Sequence, residues 1–135
     1  MKGFIAAALG FAAGERGEGI AYVRFPGVEC ARVLRVPFTV KRFAGLQDRE
    51  VGYAAVRAVA EVLRKRGAAA AAFHIEDPAL AGDLREHRDV PAALTLAYVR
   101  LRCALNRFDR YEVHAAAESD LTARARSEAA LHVAA

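Results

Sequence analysis

Glu76 and Asp77 close a run of small and apolar residues, 68–75, read AAAAAFHI. A continuous apolar run of this length is a strand covered on both faces. A carboxylate at the C-terminal end of such a strand, Asp77 here, lies where open α/β sheets place their ligands. Pro78 fits the first turn of a helix, so Asp77 also suits an N-cap. Asp120, beside Ser119, begins another helical segment and has the same two readings. Glu50 falls in the first turn of a third helix, where the helix dipole favours an acid. Arg32, Arg35, Lys41 and Arg42 cluster on one strand and its exit loop. They are candidates for phosphate contacts, against the plainer reading of solvated charges.

Other chemistries leave no mark. The chain has no glycine-rich phosphate loop, no G-x-S-x-G elbow and no HExxH helix. Cys30 and Cys103 are far apart and form no CxxC, so both are expected as buried, reduced thiols. His74 lies in the apolar run and reads as a hydrogen-bonded core residue, while His87, His114 and His132 share no metal-ligand spacing. Arg64, Lys65 and Arg66 end a helix, where its dipole favours cations.

The elements that must position these residues follow from periodicity. Residues 4–11 read as a strand, with a Gly-rich turn after it that contains Glu15. Residues 20–25 alternate, with Ala21, Val23 and Phe25 on one face and Tyr22 and Arg24 on the other. Pro26-Gly27 marks a hairpin turn into a third strand, 28–40, whose Pro37 predicts an edge position. A helix spans 49–66, with Val51, Ala55, Ala58, Val59 and Val62 at helical spacing. Gly67 suits its C′ position. The central strand follows, then helices over 78–87 and 92–107. The second carries a stripe of Leu94, Tyr98, Leu101, Leu105 and Phe108. A fifth strand, 111–116, and a last helix, 121–132, close the chain. Three strands joined by turns make an antiparallel meander, and strands reached through helices run parallel to the first. The expected fold is α/β, a five-stranded mixed sheet with helices on both faces. The strand at 68–75 should lie between the first and fifth, with the third at an edge.

At 135 residues the chain is expected to form one domain, 1–135. The apolar fraction of 55% is inflated by alanine, and no stretch of about 18 large apolar residues spans a membrane. Residues 4–13 follow a single basic residue and read as a strand rather than a signal segment, so a cytoplasmic location is expected. The net charge of +4 is compatible with a polyanionic partner.

This order of elements resembles the ribonuclease H-like family over nearly the whole chain. His74-Ile75-Glu76-Asp77 is similar to the family's fourth strand ending in a metal-binding aspartate. Residues 91–108 are similar to its long helix before the fifth strand. Residues 118–125, read ESDLTARA, resemble its closing pattern, in which an aspartate begins a helix and small residues follow. The resemblance implies a site where two Mg²⁺ or Mn²⁺ ions activate water against a phosphodiester of an RNA–DNA hybrid. Its ligands come from the first strand, first helix, fourth strand and last helix. Asp77 and Asp120 match two of these positions, as metal ligands and catalytic acids. The first strand, FIAAALGF, has no carboxylate, and Ala6-Ala7-Ala8 is where the bridging aspartate is expected. The register that aligns Ala54-Ala55 puts Val51 at the first-helix glutamate position, with Glu50 one residue and about 100° away.

Two carboxylates imply at most one cation, weakly bound. Three functions follow. The first is a nucleic-acid-associated domain with a degenerate site and little or no nuclease activity, binding hybrid or single strand. The second is an active Mg-dependent ribonuclease H using Glu15 and Glu50. The third is a structural or homodimerisation module. Clustering of Glu15, Glu50, Asp77 and Asp120 would favour the second, a basic groove the first, and an exposed apolar helix face the third.

Overall fold

The computed structural model describes residues 4–14, 16–25, 33–40, 48–86, 90, 92–116 and 119–134. Its strands are β1 (Phe4–Ala13), β2 (Glu18–Arg24), β3 (Leu34–Thr39), β4 (Ala70–Ile75) and β5 (Arg110–Ala115). The α-helices are α1 (Asp48–Lys65), α2 (Pro78–Glu86), α3 (Thr95–Leu105) and α4 (Ser119–Ala134). The sheet order is β3-β2-β1-β4-β5. The β1–β2 and β2–β3 pairs are antiparallel, while β1–β4 and β4–β5 are parallel. The apolar run is therefore internal, between β1 and β5, as its composition requires. β3 forms an edge, where Pro37 is tolerated opposite Ile20.

Each face of the sheet has its own cover. Leu9, Val23, Phe73 and Ile75 join Val59, Leu63 and Leu101 in the larger core, on the side of α1 and α3. Helix α1 buries two flanks, one on the sheet and one on α3, so Tyr53, Val56 and Ala60 are buried along with Val51, Ala55 and Val59 of the expected stripe, while Ala58 and Val62 are half-buried. Ala8, Ile20 and Tyr22 pack with Leu121 and Ala125 of α4 on the opposite side. The expected helix at 92–107 opens as a 3₁₀ turn, Ala92–Leu94, before α3. Its stripe is buried as read, with Tyr98 half-buried.

Three local features place the ends of these elements. Gly67, at φ 92°, ends α1. The Gly67 amide donates to the Arg64 carbonyl, and the Ala68 amide to that of Leu63, a Schellman pair that turns the chain into β4. Asp83 of α2 accepts hydrogen bonds from Arg49 Nε at 3.0 Å and the Tyr53 hydroxyl at 2.9 Å, locking α2 to α1. That bond to Asp83 also raises the pKa of the Arg49 guanidinium. Burial, reinforced by the Asp83 bond, pushes the Tyr53 phenol up to about 12. Gly10 lets α4 press on β1. A Cβ there would lie within 3 Å of the Thr122 amide nitrogen and the Leu121 carbonyl carbon.

Two expectations are corrected. Cys103 is exposed, because it lies two residues, about 200° of helix, from buried Leu101. Cys30 lies outside the described residues. His74 is half-buried rather than a core residue, since α4 covers β1 and β2 and leaves that part of β4 open. Its ring stacks on His114 of β5, centroids 5.2 Å apart, through the register that pairs the two residues.

Candidate functional site

The C-terminal ends of β1 and β4, the first turn of α1 and the start of α4 meet around a cleft of about 420 Å³. Leu9, Phe11 and Val51 form its apolar wall. Glu76, Asp77, Thr122 and Arg126 form its polar wall. Thr122 and Arg126 are i and i+4 on α4 and so share one face.

Asp77 does what its sequence position suggested first. Its Oδ1 accepts the Ala79 amide at 2.9 Å and the Leu80 amide at 3.4 Å, capping α2. Glu76 Oε2 accepts a hydrogen bond from the Thr122 hydroxyl, which ties β4 to α4 across the cleft. Each acid thus engages one carboxylate oxygen in these bonds.

The other proposed acids stand elsewhere. Asp120 is outside the cleft lining and pairs with Arg24 of β2. That hydrogen bond holds its carboxyl below the usual aspartate range. Glu50 is buried but does not line the cleft, whereas its neighbour Val51 does. This agrees with the register that put Val51 at the glutamate position. On β1 the lining residues are Leu9, Phe11, Ala12 and Ala13, and Ala7 and Ala8 are not among them. Of the lining residues on β1, Leu9 lies nearest in sequence to the Ala6-Ala7-Ala8 stretch where the resemblance implies a bridging aspartate, and it too is apolar. Residues 68–75 are so uniformly apolar, and 4–11 likewise, that alternation alone gave no register.

Among the basic candidates, Arg35 is described. Its Nε donates to Glu128 Oε1 at 2.7 Å, and the Tyr22 hydroxyl donates to Oε2 at 2.8 Å. The bond to Glu128 raises the Arg35 pKa. Arg124 stacks over the Tyr22 ring, 4.3 Å from its centroid, so this edge of the sheet is knitted to α4. Arg32, Lys41, Arg42 and Glu15 lie outside the described residues.

Glu76, Thr122 and Arg126 were missed as cleft residues. Glu76 was legible as Asp77's neighbour, and Thr122 and Arg126 as a helical pair once the buried Leu121 and Ala125 set the face of α4. Among the described residues no group of three or more His, Cys, Asp or Glu side chains is placed to hold a metal ion. Among the described residues the cleft lining offers two carboxylates, fewer hard oxygen ligands than two divalent cations need.

Solved structures align with nearly all of this fold. The RNase H1 of the halophilic archaeon Halobacterium salinarum NRC-1 superposes with a TM-score of 0.70 at 18% identity, over 95% of this chain and 98% of that one. The N-terminal RNase H domain of a Mycobacterium tuberculosis protein, solved as a fusion with maltose-binding protein, gives 0.67 at 14% identity, over 91% and 95%. An RNase H1 named LC11, solved with an RNA/DNA hybrid, gives 0.61 at 11% identity, over 91% of each chain. The chain has the ribonuclease H-like fold. No protein-family model and no curated protein matches its sequence. Among the described residues no helix is long and apolar enough to cross a membrane.

Proposed function

We propose that this chain is a ribonuclease H-like domain that engages nucleic acid without cleaving it by the two-metal route. The observation that carries the reading is the apolar wall of the cleft. Leu9 and Val51 stand where two ligand carboxylates would be needed, and Asp120 is drawn to Arg24. A neighbour of this fold is solved with an RNA/DNA hybrid, which supports nucleic acid as the partner class. The net charge of +4 agrees in sign with such a partner. A cytoplasmic setting completes the proposal.

The test has two arms. Incubation with RNA–DNA hybrid and Mg²⁺ or Mn²⁺ should give no hydrolysis. Fluorescence anisotropy should show binding to hybrid or single strand that weakens with salt, by about 0.7–0.9 log units per log salt for each phosphate contact. Robust metal-dependent cleavage abolished by Asp77→Asn would make this an active nuclease instead. Absence of binding at low salt would remove nucleic acid as the partner.

One observation favours a second reading, the interaction module. Leu96 and Val99 are 58% and 48% exposed, and exposed Cys103 continues their stripe along α3. Light scattering would reveal a homodimer, and Leu96→Asp should dissolve it.

A further inference from the structure

A cleft walled by Leu9, Phe11 and Val51 is shaped for something other than metal ions. Its lining carries two carboxylates and one guanidinium, from Glu76, Asp77 and Arg126. A bare phosphate meets a net negative wall there, and a divalent pair lacks ligands. The remaining surface combines an aromatic ring, two aliphatic side chains and two carboxylate oxygens. Asp77 caps α2 through Oδ1, leaving Oδ2, and Glu76 bonds Thr122 through Oε2, leaving Oε1. Flat apolar faces with hydrogen-bond donors along one edge match that surface.

We infer that the cleft binds an unpaired nucleobase with a donor-rich edge, guanine above all. This rests on the proposed nucleic-acid function and assigns the cleft a base rather than a scissile phosphate. Guanine presents N1–H and the N2 amino group side by side on its Watson–Crick edge, two donors for the acids of the cleft. Phe11, half-buried against the core, offers a ring for stacking, the usual way proteins hold unstacked bases. Exposed Arg126 sits at the rim, where it meets the phosphate attached to the base. The cleft volume of about 420 Å³ lies within the range of small-molecule sites, about 300–1,000 Å³. Because acids and arginine do the recognition, no metal is required.

The base can come from a free nucleotide or a strand, and the experiment separates the two. Guanosine, adenosine, cytidine and uridine monophosphates are titrated by calorimetry in EDTA, and short single strands of matched sequence by anisotropy. Guanine-containing ligands should bind best, unchanged on adding Mg²⁺ at constant ionic strength. Asp77→Asn, which keeps the cap, and Arg126→Ala, on the exposed rim, should each weaken binding about tenfold, the scale of a charged hydrogen bond. Phe11→Ala should weaken all four bases, with circular dichroism reporting whether it folds. Binding of monophosphate without binding of strands would uphold the base site and overturn the nucleic-acid function. Strand binding indifferent to base, Asp77→Asn and Arg126→Ala would overturn the base site alone. Binding that requires Mg²⁺ would also overturn it.

Discussion

Restoring acids at Leu9 and Val51 should turn the cleft into a metal-dependent element of stability. Leu9 is fully buried, and replacing it by aspartate forfeits about 1.5–3 kcal/mol of apolar burial. The unpaired carboxylate adds a desolvation penalty of several kcal/mol before relaxation. Val51→Glu costs less, because Val51 lies at the cleft edge and is 9% exposed. A net loss of about 4 kcal/mol in EDTA is a large part of a typical 5–15 kcal/mol. For a chain of this size it lowers Tm by about 15 °C. With Glu76 and Asp77 already in the lining, the double variant gathers four acids in one cleft, enough to bind a hard cation. At a hundredfold excess over Kd, Mg²⁺ then returns about 2.7 kcal/mol, or about 10 °C. Differential scanning fluorimetry of wild type and Leu9→Asp/Val51→Glu, in EDTA and in Mg²⁺, measures both shifts. A wild-type Tm that rises as much as the variant's with Mg²⁺ would refute the reasoning. So would a double variant that loses little stability in EDTA, since Leu9 would then not be a buried cleft residue.

Three further outcomes are expected. Asp83→Ala should cost about 3 kcal/mol and about 10 °C in Tm by thermal melting, because Arg49 and the buried Tyr53 hydroxyl lose their acceptor. Tyr53, with its pKa raised to about 12, contributes stability that is complete below the unfolded value near 10 and falls as pH rises from there to 12. Urea melts across that window should lose about 2 kcal/mol in wild type, and Tyr53→Phe should flatten the decline. Gly10→Ala should destabilise by about 3 kcal/mol in urea melts, since its Cβ meets backbone atoms of Leu121 and Thr122 that cannot rotate away.

The fold was legible wherever the signal was local. The apolar run before Glu76 reads as an internal strand, Gly67 as a left-handed helix end, and Pro37 as an edge strand. Each is decided by a few neighbouring residues, and each is found so. The register of α1 came from the resemblance, whose alignment of Ala54-Ala55 put Val51 at the first-helix position, and Val51 lines the cleft. The register of β1 was not legible. A strand covered on both sides shows no alternation, so Ala7, Ala8 and Leu9 look equivalent. Tertiary packing distinguishes them, since Ala8 meets Leu121 and Ala125 of α4 while Ala7 and Leu9 join the core on the other face. Asp120 shows the same limit. Its type and place at a helix start suit a ligand or a cap, but buried Leu121 beside it fixes the helix face and turns Asp120 toward Arg24. Cys103 reads as apolar by type and falls on the outer side of α3 by rotation.

These features bear on how α4 stays docked. Carboxylates gathered from separate elements repel one another until cations bridge them, so a two-metal cleft is a point of strain when empty. Here the cleft is relieved of that repulsion at two positions by Leu9 and Val51. The remaining acids are occupied by protein donors, Asp77 by the α2 amides and Glu76 by the Thr122 hydroxyl. Helix α4 is then fastened from outside the cleft. Asp120 pairs with Arg24, Glu128 receives Arg35 and Tyr22, and Arg124 covers the Tyr22 ring. Exposed ion pairs of this kind contribute little singly, about 0–1 kcal/mol each. Their common direction matters more, since all run from the β2–β3 edge to α4. Together with the Gly10 contact they hold the C-terminal helix against the sheet by protein contacts alone. A cleft so held keeps its shape without a cation, as the proposed binding without two-metal hydrolysis requires.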